Sequence, residues 1–241
     1  MTALPAAGPL PDAVLRPASG NAFELTVGQL ATAIRLGVFT HGAALPPERE
    51  LAERLGVSRN TLREAIAALR DAGLVATRRG RGGGTRVTYA GVEPGDGSRG
   101  MPERLDVDDA LDYRSVVEPG AAELAAMRTL SAADRRWLRQ AVTETRAAPD
   151  TATHRMADSR LHLAIATVTG SALVVEAVTR AQAALHEMLT AIPVLRPNID
   201  NSNDQHDQIV TAILAGDGGA ARTAMAEHCA ATAALLRGLL G

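Results

Sequence analysis

Two groups of side chains in this 241-residue sequence have the type and spacing to do chemistry. The first is Arg59, Asn60 and Arg63. Around them Leu62, Ala65, Ile66 and Leu69 follow the i, i+3, i+4, i+7 spacing of a buried helical stripe, so the three polar residues fall near the N-terminal end and off the apolar face. A helix that presents its first turns in this way can enter a major groove, with arginine reading guanine edges or gripping phosphate. The plain alternative is that surface arginines only keep a helix soluble. The second group is Asp158 and His162, spaced i, i+4 on one expected helix, where a carboxylate and an imidazole share a face and can meet a single ion. His206 and His228 lie in later helical stretches. Each taken alone reads first as a surface or satisfied core histidine, as do His41, His154 and His186.

The elements that position the first group are legible in the flanking residues. Pro46 and Pro47 suit the first turn of a helix, where a missing N–H would be unpaired anyway. Glu48 and Glu50 sit where the helix dipole favours negative charge, Leu51, Ala52 and Leu55 form an apolar face, and Gly56 ends the helix. Ser58 can N-cap the next helix, which Asp71-Ala72-Gly73 closes. Leu74–Thr77 and Thr85–Thr88 read as short strands around a glycine-rich tip that carries Arg78, Arg79 and Arg81 and can approach a phosphate backbone closely. Leu30 and Ile34 mark an earlier helix that stops near Gly37. Helix, helix, helix, hairpin is the order of a winged helix-turn-helix.

A formal net charge of −2 argues at first against a nucleic-acid partner, but the charge is unevenly spread. Residues 1–90 carry 11 Arg against 7 acids, net +4, and residues 91–241 carry 14 Arg against 20 acids, net −6. The positive charge is thus concentrated where the helix-turn-helix lies, as electrostatic docking requires. A single cysteine, Cys229, excludes an internal disulfide framework and fits a reducing cytoplasm. No apolar run approaches the roughly 20 residues that span a membrane. Residues 1–22 are Ala/Pro-rich without the charged and apolar regions of a signal peptide, and are expected to be a disordered tail. A winged helix-turn-helix over 23–90 and a linker over 91–105, rich in glycine, follow.

From Asp106 onward the spacing is helical, with expected helices near 106–129, 131–147, 150–168, 171–190, 202–215 and 217–239. Ser131-Ala132-Ala133-Asp134 resembles a capping box, and Asp217 can cap the last helix. With two Phe, one Trp and two Tyr in the chain, the core must be aliphatic. The fold class expected is mainly α: an N-terminal winged helix-turn-helix and, over 106–239, an all-α antiparallel helical bundle.

The stretch LPPERELAERLGVSRNTLREAIAALRDAGLV, followed by RRGRGGGTRV, resembles the N-terminal domain of the GntR family of bacterial transcription regulators over about Phe23 to Thr88. The resemblance implies DNA contacts from Arg49, Ser58, Arg59, Asn60, Thr61 and Arg63, and from Arg79 and Gly80 in the wing. Residues 106–239 resemble the helical effector domain of the FadR-type subfamily, called FCD. Asp158-Ser159-Arg160-Leu161-His162, His206-Asp207-Gln208-Ile209-Val210 and Ala226-Glu227-His228 match the elements from which its metal-binding members take their ligands. What this implies is one divalent metal (Zn, Ni or Mn) held by Asp158, His162, His206 and His228. Arg114 aligns with a first-helix arginine that the family points into its pocket, so it is the expected effector-binding residue. A surface ion pair of Arg114 with Asp112 or Glu118 is the plain alternative. The Gly-Asn pair usual after the third helix of this domain is Gly170-Ser171 here, which removes an amide contact.

Three imidazoles and a carboxylate fill four positions of such an ion, and an octahedral preference leaves two for a ligand carboxylate that an arginine can also clamp. The reading is a cytoplasmic, homodimeric regulator on a palindromic operator, a repressor released by a small carboxylate effector and without catalytic residues. Two rivals stand beside it: a sensor switched by metal occupancy itself, and a metal-dependent hydrolase, for which no partner base or oxyanion constellation is visible. A pyridoxal-phosphate enzyme fused to the DNA-binding domain is excluded, because it needs a Schiff-base lysine and all 25 basic residues are arginine.

Overall fold

The computed structural model describes residues 10–15, 22–78, 80, 83–91, 106–192 and 196–240. Its contacts divide into two compact units, Met1–Gly91 and Val92–Gly241.

The first unit contains α1 (Leu10–Val14), α2 (Ala22–Arg35), α3 (Glu48–Leu55), α4 (Arg59–Asp71), β1 (Val75–Arg78) and β2 (Gly84–Val87). Apolar faces explain the packing: Leu30, Ala33 and Ile34 of α2, Leu51 and Leu55 of α3, and Leu62, Ala65 and Leu69 of α4 are all buried. α4 packs on α2, on α3 and on β1. Gly56 ends α3 at φ 63°, a conformation that costs glycine little, and Ser58 N-caps α4 by accepting from the Thr61 N–H. Pro47 stands at the N-cap of α3 rather than within its first turn. β1 and β2 pair antiparallel, from Val75 opposite Val87 to Arg78 opposite Gly84. The chain before α3 adds to this ladder: Leu45 N–H donates to Thr85 O and Val87 N–H to Ala43 O, an edge that sequence spacing did not announce. α1 lies within the stretch expected to be a disordered tail, and here the expectation needs correction. Leu10, Val14 and Leu15 are buried and α1 packs on α2, so residues 10–15 have an apolar reason to be ordered.

The second unit is a bundle of α5 (Val107–Ala126), α6 (Ala132–Arg146), α7 (Thr151–Val168), α8 (Ala172–Thr190), α9 (Arg196–Ala215) and α10 (Gly218–Leu240). Ser131 and Asp134 form the capping box of α6, and Asp217 accepts from the Ala220 N–H at the start of α10. α9 begins at Arg196, earlier than the expected 202. Its opening residues, Asn198 to Asn203, have poor helix propensity, and tertiary contacts override it: Asn203 is buried and its Oδ1 lies 3.3 Å from His154 Nε2. α5 is the helix on which the others converge, in contact with α7, α8, α9 and α10. One aliphatic core gathers Leu138, Leu161, Ile165, Ile209, Ile213 and Met225, and a second gathers Leu111, Leu185, Met188, Ile192 and Leu236. No helix of the described residues is long and apolar enough to cross a membrane.

Candidate DNA-reading face and metal centre

In the first unit the polar residues near the start of α4 are exposed, as their position off the apolar stripe requires. Arg59 opens the helix and makes no ion pair among the described residues. Arg63 Nε lies 2.9 Å from Glu48 Oε2, Asn60 Nδ2 donates to Glu64 Oε1 at 2.8 Å, and Arg49 Nη1 is 3.4 Å from Glu53 Oε1. Ser58 and Thr61 join their hydroxyls at 2.8 Å while the Thr61 N–H caps on Ser58. Ser58 and Thr61 therefore serve the helix start itself, and Arg49, Arg59, Asn60 and Arg63 offer their polar ends to solvent from α3 and α4. Gly80 takes φ 103°, and the Gly83 N–H bonds back to its carbonyl. A Cβ on Gly83 would strike the Arg78 carbonyl, so this tip tolerates only glycine there. Arg79 lies outside the described residues.

In the second unit three of the four expected ligands, His162, His206 and His228, cluster from three helices, and Asp158 approaches two of them. Asp158 and His162 lie one turn apart on α7, His206 on α9 and His228 on α10. The three rings are almost wholly buried, with 1, 1 and 2% exposure, and a nitrogen of each lies within 4.8 Å of the others. Their centroids are 4.6 to 5.4 Å apart. Asp158 Oδ1 is 3.3 Å from His206 Nε2, and its Oδ2 is 3.9 Å from His162 Nε2. His228 Nδ1 meets Gln205 Oε1 at 3.2 Å, which leaves its Nε2 uncommitted. Neither ring nitrogen of His162 or His206 has an aligned hydrogen-bond partner among the described residues. Buried ring nitrogens without aligned partners are costly unless something fills them.

The electrostatics agree with that demand. Burial pushes His206 down to about 4, only partly opposed by Asp158, and burial with the neighbouring His206 and Arg114 holds His228 well below its ordinary value. Both rings are therefore neutral near pH 7, the form that donates a lone pair. Burial alone would raise the Asp158 carboxyl, but His206 and His162 outweigh it and keep the carboxyl below its usual range.

A pocket of about 70 Å³ opens beside this cluster. Arg114, Arg155, Asp158, His154, His228 and Thr232 line its polar part, and Leu185, Leu189, Ile192 and Leu235 its apolar part. Arg114 and Arg155 thus bring guanidinium groups to this wall, and Asp158 a carboxylate. Arg114 is not on the surface: it is 1% exposed. Its Nε lies 3.2 Å from Glu118 Oε2, while no nitrogen of its guanidinium has an aligned hydrogen bond among the described residues. Asp112, the other acid considered for it, pairs instead with Arg237 at 3.2 Å. Sequence reading missed Glu118 as part of the site. Its only signal was the i, i+4 spacing from Arg114, which does not distinguish a buried pair from an exposed one. Gln182, Arg155 and the His154–Asn203 contact gave no signal at all.

The family model described as "Bacterial regulatory proteins, gntR family" matches residues 24–87, and the "FCD domain" model matches residues 109–231, just over half of the chain. A protein assigned to regulation of the L-lactate dehydrogenase operon in Escherichia coli (strain K12) is 32% identical over 198 residues, covering 78% of this chain and 75% of its own. The Uxu operon transcriptional regulator of the same organism is 32% identical over 204 residues, covering 79% of this chain and 77% of its own. The transcriptional regulator LutR of Bacillus subtilis (strain 168) is 28% identical over 207 residues, covering 81% and 92%. Among solved structures, E. coli McbR/YncC superposes with a TM-score of 0.54 at 18% identity over 91% of this chain and 99% of that one, a likeness of fold alone. The chain belongs to the GntR family of bacterial transcription regulators, with an FCD domain behind its DNA-binding domain, and it is a DNA-binding regulator rather than an enzyme.

Proposed function

We propose that this regulator is a homodimer that binds a palindromic operator and is released from it by a small organic acid. The acid binds at a divalent metal held by Asp158, His162, His206 and His228. The observation that carries the reading is the buried cluster of three histidines, two of which have ring nitrogens without aligned partners among the described residues, set beside a pocket lined by the buried Arg114. Three imidazoles and one carboxylate suit Zn, Ni or Mn, and the ion would supply positive charge and open positions for a carboxylate. Arg114 would take the other oxygen of that carboxylate, since its donors lack aligned partners. One relative is named for an L-lactate dehydrogenase operon, and lactate, a 2-hydroxycarboxylate able to present two oxygens to one ion, is the first acid to test.

On the DNA side, Arg59, Asn60 and Arg63 would read base edges, with Arg49, Ser58, Thr61, Arg79 and Gly80 contacting the backbone. One recognition helix reads few bases, so two half-sites related by a two-fold axis supply the specificity. The test is operator binding by chelator-treated protein to which Zn²⁺, Ni²⁺ or Mn²⁺ and then 2-hydroxy acids are added in turn. Release only when acid joins the metal-loaded protein supports the proposal. A switch driven by metal alone supports the metal-sensor alternative, and indifference to both refutes the reading.

A further inference from the structure

We propose that Glu118 is a positioning residue for the metal centre: its carboxylate, held by Arg114, fixes His162 as the tautomer whose Nε2 faces the ion. The inference rests on the metal reading above and names a residue outside the four ligands. Glu118 is 1% exposed, on α5, between helices α7, α8 and α10. Its Oε1 accepts from Gln182 Nε2 at 2.7 Å. Its Oε2 lies 2.8 Å from His162 Nδ1, 3.2 Å from Arg114 Nε and 3.7 Å from the Cys229 thiol.

Each distance has a chemical consequence. An imidazole with a carboxylate against Nδ1 keeps its proton there, though the ring's N–H is not fully in line with Oε2 as the side chains stand. Its lone pair is then on Nε2, and His162 Nε2 is the atom that faces Asp158 Oδ2 at 3.9 Å. A carboxylate on the far nitrogen also makes the ring a stronger donor. Gln205 stands in the same relation to His228, through Nδ1 at 3.2 Å, but as a neutral amide. The Arg114 guanidinium, 3.2 Å from the same Glu118 oxygen, complements the charge of the carboxylate and holds it against His162. The arginine on the pocket wall and the histidine of the metal cluster thus share one buried oxygen.

The experiment uses the full chain, stripped by chelation, with Zn²⁺ as the probe against a competing chromophoric chelator. Wild type is compared with Glu118→Gln and with Arg114→Met/Glu118→Gln, in which no buried charge is left unpaired. We expect one ion per wild-type chain and about 10–100-fold weaker binding in both variants. Long-range proton–nitrogen spectra of the zinc-loaded wild type should show His162 ligated through Nε2 and protonated on Nδ1. Equal affinity in wild type and folded variants overturns the role of Glu118, as does ligation of His162 through Nδ1. Failure of wild type to bind any zinc, nickel or manganese overturns the metal reading itself, and this proposal with it.

Discussion

Replacing Arg114 by methionine tests the bundle at its most highly charged buried point. The pair it breaks has 2% of the arginine and 1% of the glutamate side chain exposed, so solvent screens almost none of it. Methionine keeps most of the volume, which separates lost charge from a cavity. Breaking a buried pair from one side typically costs about 3–5 kcal/mol, because the partner charge is left behind. Glu118 would keep Gln182 at 2.7 Å and His162 at 2.8 Å, and this places the expected loss at the lower end, about 3 kcal/mol. For a unit of this size that corresponds to a fall in Tm of roughly 10 °C. The assay is built into the chain: Trp137 is its one tryptophan and packs against the aliphatic core of the bundle, so its fluorescence in urea follows this unit alone.

The pH dependence supplies a second check on the same variant. In wild type the Glu118 carboxyl is held below its unfolded value, so its stabilising contribution is complete above about pH 4.5 and is lost as pH falls through the folded value. Without Arg114 burial dominates, and the folded-state value should rise above the unfolded one. The variant is then destabilised above that raised value and relieved below it, so the gap to wild type should narrow in acid. Adding Glu118→Gln to Arg114→Met should restore most of the stability at neutral pH, since no charge remains buried. A loss under about 1 kcal/mol at pH 7, independent of pH, is what an exposed pair would give and would refute the buried-pair account.

Arg59→Ala should weaken operator binding by about 1–3 kcal/mol, roughly 5–150-fold, with the Trp137 unfolding curve unchanged. Unaltered affinity would mean that the start of α4 does not read DNA. His206→Ala/His228→Ala should abolish the rise in Tm that metal gives, because those ligands tie α9 and α10 to α7, and full metal content in that variant would remove them from the site. The metal-free protein should lose stability as pH falls from about 6.5 to about 4. Over that window unfolded His206 takes up a proton that the folded ring refuses, so flat stability across it would contradict the burial of the cluster. Gly83→Ala should impair operator binding without moving the bundle's transition, since its Cβ meets the Arg78 carbonyl at the wing tip; an unaffected affinity would make the wing dispensable.

What the sequence made legible follows from how local the signal was. Leu62, Ala65, Ile66 and Leu69 are one face of one helix, and the exposure of Arg59 and Arg63 follows from that face without knowledge of any neighbour. Asp158 and His162 are likewise fixed to one face by a single turn of α7. That His206 and His228 join them depends on how α9 and α10 pack, which no spacing encodes; resemblance named them, and packing of aliphatic helices brings them within reach. The start of α9 failed for a related reason. Asn198, Asp200, Asn201 and Asn203 are poor helix formers, and the contact of Asn203 with His154, made across the bundle, belongs to the tertiary fold.

Arg114 and Glu118 show the same limit from the other side. Their i, i+4 spacing is the pattern of countless exposed pairs, such as Arg49 with Glu53 in this chain at 69 and 65% exposure. What separates the two is only that α5 is covered by α7, α8, α9 and α10, whereas that face of α3 is open to solvent. Burial converts an interaction worth about 0–1 kcal/mol into one whose rupture costs several. A helix that carries such a pair into a core next to three histidines is hard to explain by stability alone, because a well-packed apolar pair of the same volume would often stabilise as well or better. The pair makes sense as part of the site, where the arginine presents unfilled donors to the pocket and the glutamate presents an oxygen to His162.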